Sequence, residues 1–121
     1  MKAKVLVVDD ERVVADTLTI ILNKSGYEAT AAYSGEEAIQ TVKTFQPDVL
    51  ISDVIMSGLN GIDAAIEIYE LIPLCQVLLL SGQAETHDLM SRARSAGHDF
   101  EVLAKPVPPI EILAWLEKWR A

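Results

Sequence analysis

The stretch that decides the fold is DVLISDVIM, residues 48–56. Its apolar part, Val49–Ile51, has the length of a strand, and it is continuous instead of alternating with polar residues. A run of this kind predicts a strand that is buried on both faces. Two more runs, Val5–Val8 and Val77–Leu80, have the same character. Strands buried on both faces belong to parallel sheets that helices cover, which predicts an α/β fold.

Segments with helical periodicity separate these strands, and weaker strand candidates at residues 27–32 and 102–104 bring the strands to five. Apolar residues three and four positions apart predict four of the helices, on these residues: Val14, Leu18, Ile21 and Leu22; Ala38, Ile39, Val42 and Phe45; Ile62, Ala65, Ile66 and Tyr69; Ile112, Trp115, Leu116 and Trp119. Residues 87–96 predict the remaining helix more weakly, with Leu89 and Ala93 facing inward. The order βαβαβαβαβα predicts a doubly wound (βα)5 three-layer sandwich with right-handed crossovers.

Polar side chains follow four of the predicted strands, at the point where each strand ends. Asp9 and Asp10 follow the first strand, Asp53 the third, Ser81 the fourth and Lys105 the fifth. The carboxyl ends of parallel strands meet at one edge of the sheet, which is where α/β folds bind their ligands. Each residue has an ordinary interpretation alone, since Asp9 and Asp10 are also typical helix-capping residues. Together they predict a site with three carboxylates, one hydroxyl and one ammonium group.

The charges of this predicted site indicate its chemistry. Carboxylates a few ångströms apart repel one another, so either some of them bind protons or a cation binds between them. Mg²⁺ binds carboxylate and carbonyl oxygens together with waters and a phosphate oxygen, and it neutralises charge in phosphoryl transfer. Lys105 and Ser81 can each contact a phosphoryl oxygen. Asp53 ends the central strand and is the best candidate for a nucleophile that forms an aspartyl phosphate.

Length, charge and cysteine content narrow the class of protein. The 121 residues suit one domain with one core. With 18 acidic and 10 basic residues, the net charge of −8 disfavours direct binding to nucleic acid or to anionic lipid. Cys75 has no partner for an intramolecular disulfide, and the sequence shows neither a signal peptide nor an apolar run of membrane-spanning length. We therefore expect a cytoplasmic protein that binds neither membrane nor nucleic acid directly.

Five short motifs make the sequence resemble a known family. They are VVDDE at residues 7–11, DVLISDVIM at residues 48–56, Asn60-Gly61, Leu80-Ser81-Gly82 and Lys105-Pro106. In this order and at these separations they are similar to the receiver domain of two-component response regulators. The resemblance covers the whole chain, residues 1–121, and implies a single receiver domain. It also implies a flavodoxin-like parallel sheet with the strand order 2-1-3-4-5.

The resemblance implies that the acidic residues form a phospho-acceptor site with a bound Mg²⁺ ion. Asp53 is the residue that accepts a phosphoryl group from a phosphohistidine on a partner kinase. Asp10 and Asp53 are the implied side-chain ligands of Mg²⁺, and the backbone carbonyl of Ile55 is a further ligand. Asp9 contributes mostly through water.

The remaining motifs imply contacts with the phosphoryl group. Ser81 and Lys105 are expected to bind its oxygens, and the Lys105–Pro106 peptide bond is expected to be cis. Such a protein is not an enzyme in the usual sense, because it catalyses only its own phosphorylation and dephosphorylation. The implied partners are a sensor histidine kinase or a phosphotransfer protein, a downstream target protein, and a second copy of the chain in a phosphorylation-dependent homodimer.

Three features depart from the family pattern. The spacing from Gly97 to Lys105 is one residue longer than usual, so Phe100 matches the usual aromatic position from neither end. Ser57 stands where proline usually follows Met56, which predicts a more mobile loop after Asp53. Val102 stands where the family usually has an aromatic residue, three positions before Lys105. We therefore expect phosphorylation to cause a smaller conformational change at this face, or one that follows a different route.

Three other interpretations compete with the receiver. An aspartyl-nucleophile phosphatase also uses Mg²⁺, but it needs Asp-x-Asp after the first strand, and Asp9-Asp10-Glu11 does not have this pattern. A flavin-binding module of the same fold needs a hydroxyl-rich phosphate loop, which the residues after Val8 do not provide. A degenerate receiver that acts only as a protein-interaction module stays open because of Val102.

Overall fold

The structure is a computed structural model that describes residues 2–82 and 86–120. Strands and helices alternate along these residues with the following bounds: β1 Lys4–Val8, α1 Arg12–Lys24, β2 Glu28–Ala32, α2 Gly35–Thr41, β3 Val49–Asp53, α3 Gly61–Leu71, β4 Gln76–Ser81, α4 Thr86–Ser95, β5 Glu101–Ala104 and α5 Pro109–Arg120. The predicted alternation is therefore confirmed, and it includes the weakly patterned fourth helix. Within the described ranges, no helix has both the length and the apolar character needed to cross a membrane.

The strands of the described residues form one parallel sheet in the order β2-β1-β3-β4-β5. This order confirms the doubly wound α/β sandwich that the pattern predicts and the arrangement that the resemblance implies. β3 lies in the centre, where Ser52 pairs with Val8 of β1 and Asp53 pairs with Leu80 of β4. The register brings the ends of these three strands side by side. The strand order reverses between β1 and β3, so the edge beyond them is the expected ligand-binding edge.

Each face of the sheet buries its own hydrophobic cluster. Leu6 and Leu50 pack on one face with side chains from α2, α3 and α4. Val5 and Val49 pack on the other face with side chains from α1 and α5. Successive residues of a strand point to opposite faces, so a strand covered on both sides needs an apolar residue at every position. This is why the runs that decide the fold are continuous.

Three details of the helix predictions are wrong. Tyr69, predicted on the inward stripe of α3, is 38 % exposed, because Ile68 takes the buried position. Val14, predicted to face the core, is 45 % exposed, because Ala15 and Leu18 form the buried face of α1. α2 ends at Thr41, so Phe45 lies beyond the helix on which it was predicted. Phe45 still packs partly buried against the core, since a turn closed by its N–H and the Thr41 carbonyl at 2.8 Å follows the helix.

Candidate functional site

Three carboxylates meet at the carboxyl edge of the sheet. Asp9 and Asp10 directly follow β1, and Asp53 is the last residue of β3. One carboxylate oxygen of each lies within 4.8 Å of the corresponding oxygens of the other two. Asp9 and Asp53 are buried, whereas Asp10 is exposed to solvent. The structure thus brings together the acidic residues that the strand ends predicted.

Lys105 reaches the same cluster from β5. It directly follows the last residue of this strand, and its Nζ lies 2.9 Å from Oδ2 of Asp53. The side chain of Asp53 is 11 % exposed and that of Lys105 is 35 % exposed, so solvent screens this ion pair only in part. The ammonium group therefore lies against the carboxylate that sequence reasoning predicts to be the nucleophile.

Ser81 reaches this edge as the last residue of β4. Its carbonyl accepts the N–H of Lys105 at 2.8 Å, and the carbonyl of Leu80 accepts the N–H of Val54 at 3.1 Å. These backbone hydrogen bonds tie the ends of β3, β4 and β5 to one another. The peptide bond between Lys105 and Pro106 is cis.

The loop between β3 and α3, residues 54–60, contacts the cluster through Asp10. Ser57 donates its backbone N–H to Oδ2 of Asp10 at 3.2 Å and its hydroxyl to the same oxygen at 3.4 Å. Ile55, whose carbonyl is the implied backbone ligand, lies in this loop two residues after Asp53, and its side chain is exposed. Sequence reasoning identified Ser57 as a departure from the family pattern but did not predict its contact with Asp10.

Burial and the neighbouring charges shift the pKa values of Asp9 and Lys105. Burial is the main cause that raises the pKa of Asp9 above 3.8, and the negative charges of Asp53 and Asp10 raise it further. The N–H of Glu11, which lies 3.0 Å from Oδ1 of Asp9, opposes this increase. Partial burial lowers the pKa of Lys105, but the hydrogen bond and charge of Asp53 outweigh burial and leave this pKa above 10.5. The cluster therefore carries an excess of negative charge that Lys105 offsets only in part.

The donor atoms of this cluster fit a hard divalent cation. Mg²⁺ and Ca²⁺ bind oxygen ligands, and the three carboxylate oxygens are close enough to one another to share an ion. Mg²⁺ also keeps several waters, and the exposure of Asp10 gives water access to the cluster. A cation at this position would relieve the repulsion that contributes to the raised pKa of Asp9. The acidic residues therefore fit Mg²⁺ in both chemistry and spacing.

Residues 5–117 match the family model of the response regulator receiver domain. The chain belongs to this family. Among its relatives, chemotaxis protein CheY of Thermotoga maritima is 32 % identical over 119 residues, which cover 98 % of this chain and 98 % of that protein. Receiver domains of this kind are signalling modules of two-component systems, take phosphate from histidine kinases and act on downstream targets.

Other relatives of this receiver are longer proteins. The DNA-binding response regulator MtrA of Mycobacterium tuberculosis is 29 % identical over 114 residues, which cover 94 % of this chain but 49 % of that protein. The receiver thus spans about half the length of this relative. Among solved structures, a receiver domain of Clostridium thermocellum is 30 % identical with a TM-score of 0.82, covering 96 % of this chain and 92 % of that one. A Vibrio cholerae chemotaxis protein has a TM-score of 0.84 at 27 % identity, with 98 % of both chains covered.

Sequence reasoning missed an apolar groove that lies beside the acidic cluster of this receiver. The groove has a volume of about 420 Å³, and Asp9 and Lys105 contribute to its lining. Much of its apolar lining comes from the start of α1, with Val13 and Val14, and from the segment that leads into α5, with Pro106, Val107 and Pro109. Val13 is 78 % exposed. The adjacent valines at the start of α1 were the available signal, since a single inward stripe would bury only one of them.

Replacing Asp9 by Asn is expected to stabilise the metal-free receiver. The folded-state pKa of Asp9 is raised, so the folded protein binds more protons than the unfolded chain between the two pKa values. Stability therefore falls as pH rises through this window, and the cost is fully present above the folded-state pKa. Asn removes the charge and keeps an oxygen for the N–H of Glu11. We expect the free energy of unfolding in EDTA to rise by about 1 kcal/mol, measured by urea denaturation at pH 7.

Asp99→Asn is the matched control for this measurement. Asp99 pairs with Arg94 at 3.5 Å, but its side chain is 82 % exposed, so solvent screens the pair and the replacement should change stability by less than about 0.5 kcal/mol. Adding Mg²⁺ should stabilise the wild type more than Asp9→Asn, because the ion relieves a repulsion that the variant has already lost. A lower stability of Asp9→Asn in EDTA would show that the buried charge is not a net cost.

Proposed function

We propose that this receiver is a phosphorylation-dependent switch in which Asp53 accepts a phosphoryl group from a phosphohistidine. The donor is a sensor histidine kinase or a phosphotransfer protein. The observation that carries the proposal is the position of Asp53, which is buried at the end of the central strand with Lys105 at 2.9 Å and two further carboxylates alongside. This is the arrangement that a nucleophilic carboxylate needs in aspartyl-phosphate chemistry.

The transfer step follows from these contacts. A carboxylate oxygen of Asp53 attacks the phosphorus, a P–O bond forms, and the P–N bond to the donor histidine breaks. The electron pair of that bond leaves with the imidazole nitrogen, which takes up a proton from water. Lys105, which already contacts Asp53, moves its hydrogen bond to a phosphoryl oxygen and balances the charge that develops there. The hydroxyl of Ser81 donates to another oxygen of the same group.

Magnesium is the cofactor that we assign to this site. Asp10, Asp53 and the backbone carbonyl of Ile55 would hold the ion, and Asp9 would act mostly through water. When bound, the ion supplies positive charge that permits an anionic phosphoryl donor to approach the carboxylates. Asp9 is buried beside the other two carboxylates. Its negative charge therefore stays close to theirs, even though burial raises its pKa.

The groove beside the cluster supports a protein as the phosphoryl donor. Exposed apolar residues that form a concave surface are typical of protein-binding sites, and Val13 and Val14 are both exposed here. Because Asp9 and Lys105 line the same groove, a protein that binds it would bring its own side chains close to Asp53. A small phosphodonor needs no such surface.

The output side of the switch depends on α4 and β5. Phosphorylation adds charge and oxygen atoms at Asp53, which would draw Ser81 and the end of β4 towards the phosphoryl group. Val102 has no ring that could reorient in response; it is partly buried against the same cluster as Met90 and Ala93 of α4. We therefore assign the output to a shift of α4 that acts on a downstream protein or on a second copy of the chain in a homodimer.

The same proposal fixes the class of protein. One receiver domain spans residues 1–121, acts in the cytoplasm without binding nucleic acid directly, and catalyses only its own phosphorylation and dephosphorylation. Because Val102 replaces the usual aromatic residue, a second candidate stays open. It is a degenerate receiver that binds partners without being phosphorylated. Uptake of a phosphoryl group distinguishes the two.

Incubation with acetyl phosphate and Mg²⁺ tests the proposal. The intact mass should increase by one phosphoryl group, about 80 Da, and excess EDTA should abolish this increase because the carboxylates then repel the anionic donor. No mass increase with Mg²⁺ present would favour the interaction module. Steady hydrolysis of an aryl phosphate, measured as phosphate release with a colorimetric assay, would instead indicate an enzyme.

A further inference from the structure

Each carboxylate of the acidic cluster has its own hydrogen-bond donor, and that of Asp10 is the unusual one. Asp9 accepts the N–H of Glu11 at 3.0 Å, and Asp53 accepts the ammonium group of Lys105 at 2.9 Å. Asp10 accepts two hydrogen bonds at Oδ2, both from Ser57. Ser57 is separated from Asp10 by 47 positions in the chain and stands where the family usually has proline.

Asp10 needs such a donor more than its neighbours do. Asp9 and Asp53 are buried, so the surrounding atoms restrict their side chains, whereas Asp10 is exposed. An exposed carboxylate beside two others would lower its energy by turning away from them into solvent. The two donors of Ser57 oppose this movement, because they hold Oδ2 of Asp10 against the loop that follows β3.

We propose that Ser57 is a positioning residue that orients Asp10 for Mg²⁺. This proposal rests on the proposed function, since it concerns the affinity of the same site for the ion. Hydrogen bonds to a metal-binding carboxylate fix its orientation, and their loss typically weakens metal binding about 10- to 100-fold. Proline has neither an N–H nor a hydroxyl, so a chain with proline at this position has no equivalent of this contact.

The same hydrogen bonds couple the two sources of metal ligands. Asp10 follows β1, and the backbone carbonyl of Ile55 lies in the loop after β3, two residues before Ser57. A hydrogen bond between Asp10 and Ser57 therefore holds the loop that carries the second ligand next to the first. At its other end, the loop is held separately, because Leu59 donates its N–H to the carboxylate of Glu36 at 3.2 Å.

Two substitutions separate the two donors of Ser57. Ser57→Ala removes the hydroxyl and keeps the N–H, so Mg²⁺ should bind about threefold more weakly, the effect of one weak hydrogen bond. Ser57→Pro removes both donors and should weaken binding about tenfold or more. The dissociation constant is measured by titrating Mg²⁺ into each protein without a phosphodonor and following backbone amide signals by NMR.

Two control variants make this measurement specific. Ser57→Thr keeps both donors and should restore the dissociation constant to within about twofold of the wild type. Glu36→Ala releases the other end of the loop without touching Asp10, and its effect on Mg²⁺ affinity should be smaller than that of Ser57→Pro. Thermal unfolding in EDTA should be nearly unchanged in Ser57→Ala, because this residue is exposed and buries no apolar surface.

The outcomes separate this inference from the function on which it rests. If the wild type does not bind Mg²⁺ at all, the proposed function fails. If the wild type binds Mg²⁺ and both Ser57→Ala and Ser57→Pro bind it equally well, the positioning role alone is overturned. An effect of Glu36→Ala as large as that of Ser57→Pro would also overturn it, because anchoring of the loop would then explain the affinity without Asp10.

Discussion

An Asp53→Asn variant is expected to gain no phosphoryl group from acetyl phosphate and Mg²⁺ under conditions that fully phosphorylate the wild type. The amide of Asn has almost the same shape as the carboxylate but cannot form the P–O bond, because its nitrogen and oxygen are far weaker nucleophiles. Loss of a nucleophile lowers reaction rates on the order of a thousandfold or more. Intact-mass spectrometry over a time course detects this difference directly.

Two features make this experiment decisive about the identity of the acceptor. Asp99→Asn makes the same chemical change at a residue whose side chain is 82 % exposed, and it should be phosphorylated at the wild-type rate. The phosphoryl group of an acyl phosphate is removed by neutral hydroxylamine, whereas that of a phosphoserine is not. A hydroxylamine-labile phosphate that persists in Asp53→Asn would assign the acceptor to Asp9 or Asp10. A hydroxylamine-stable phosphate would assign it to a hydroxyl such as that of Ser57.

The parts of the fold that the sequence predicts well are those with a single physical explanation. A strand between two layers of helices must be apolar at each position, so Val5–Val8, Val49–Ile51 and Val77–Leu80 could hardly belong to another structure. Once these strands are parallel, their ends lie at one edge whatever the loops do. The convergence of Asp9, Asp53 and the residues after the other strands follows from topology, which is why it was predictable without coordinates.

The parts that the sequence does not predict depend on contacts between distant segments. The contact between Ser57 and Asp10 depends on the path of a loop, and no local pattern specifies it. Val14 has the right spacing for a core residue, but the first turn of α1 borders the groove beside the site, and the sheet does not cover it. The ring of His98 stacks on that of Phe100 with centroids 5.5 Å apart, a contact that no spacing in the sequence specifies. Periodicity describes a single element and cannot describe such neighbours.

Gly61 shows how a short motif can carry a steric requirement that only coordinates explain. It is the first residue of α3, and its N–H donates to the carbonyl of Val54 at 2.8 Å. A Cβ at this position would lie 1.9 Å from the backbone oxygen of Asp53 and 3.0 Å from the Cα of Val54. Both contacts involve backbone, so no side chain can rotate away, and the start of α3 would have to move relative to the end of β3.

Gly61→Ala is therefore expected to destabilise the protein by about 3 kcal/mol or more and to slow phosphorylation, since the displaced backbone carries Asp53. Urea denaturation in EDTA gives the stability, and the acetyl phosphate assay gives the rate. Gly26→Ala adds the same methyl group where no atom lies within 4 Å, at a residue with a φ of +97°. The Gly26→Ala variant should lose only about 1 kcal/mol of stability, which is the cost of backbone strain. Its phosphorylation rate should be unchanged. Equal losses of stability in the two variants would show that α3 can shift without cost, and that the close approach of Gly61 to Asp53 does not position the phospho-acceptor.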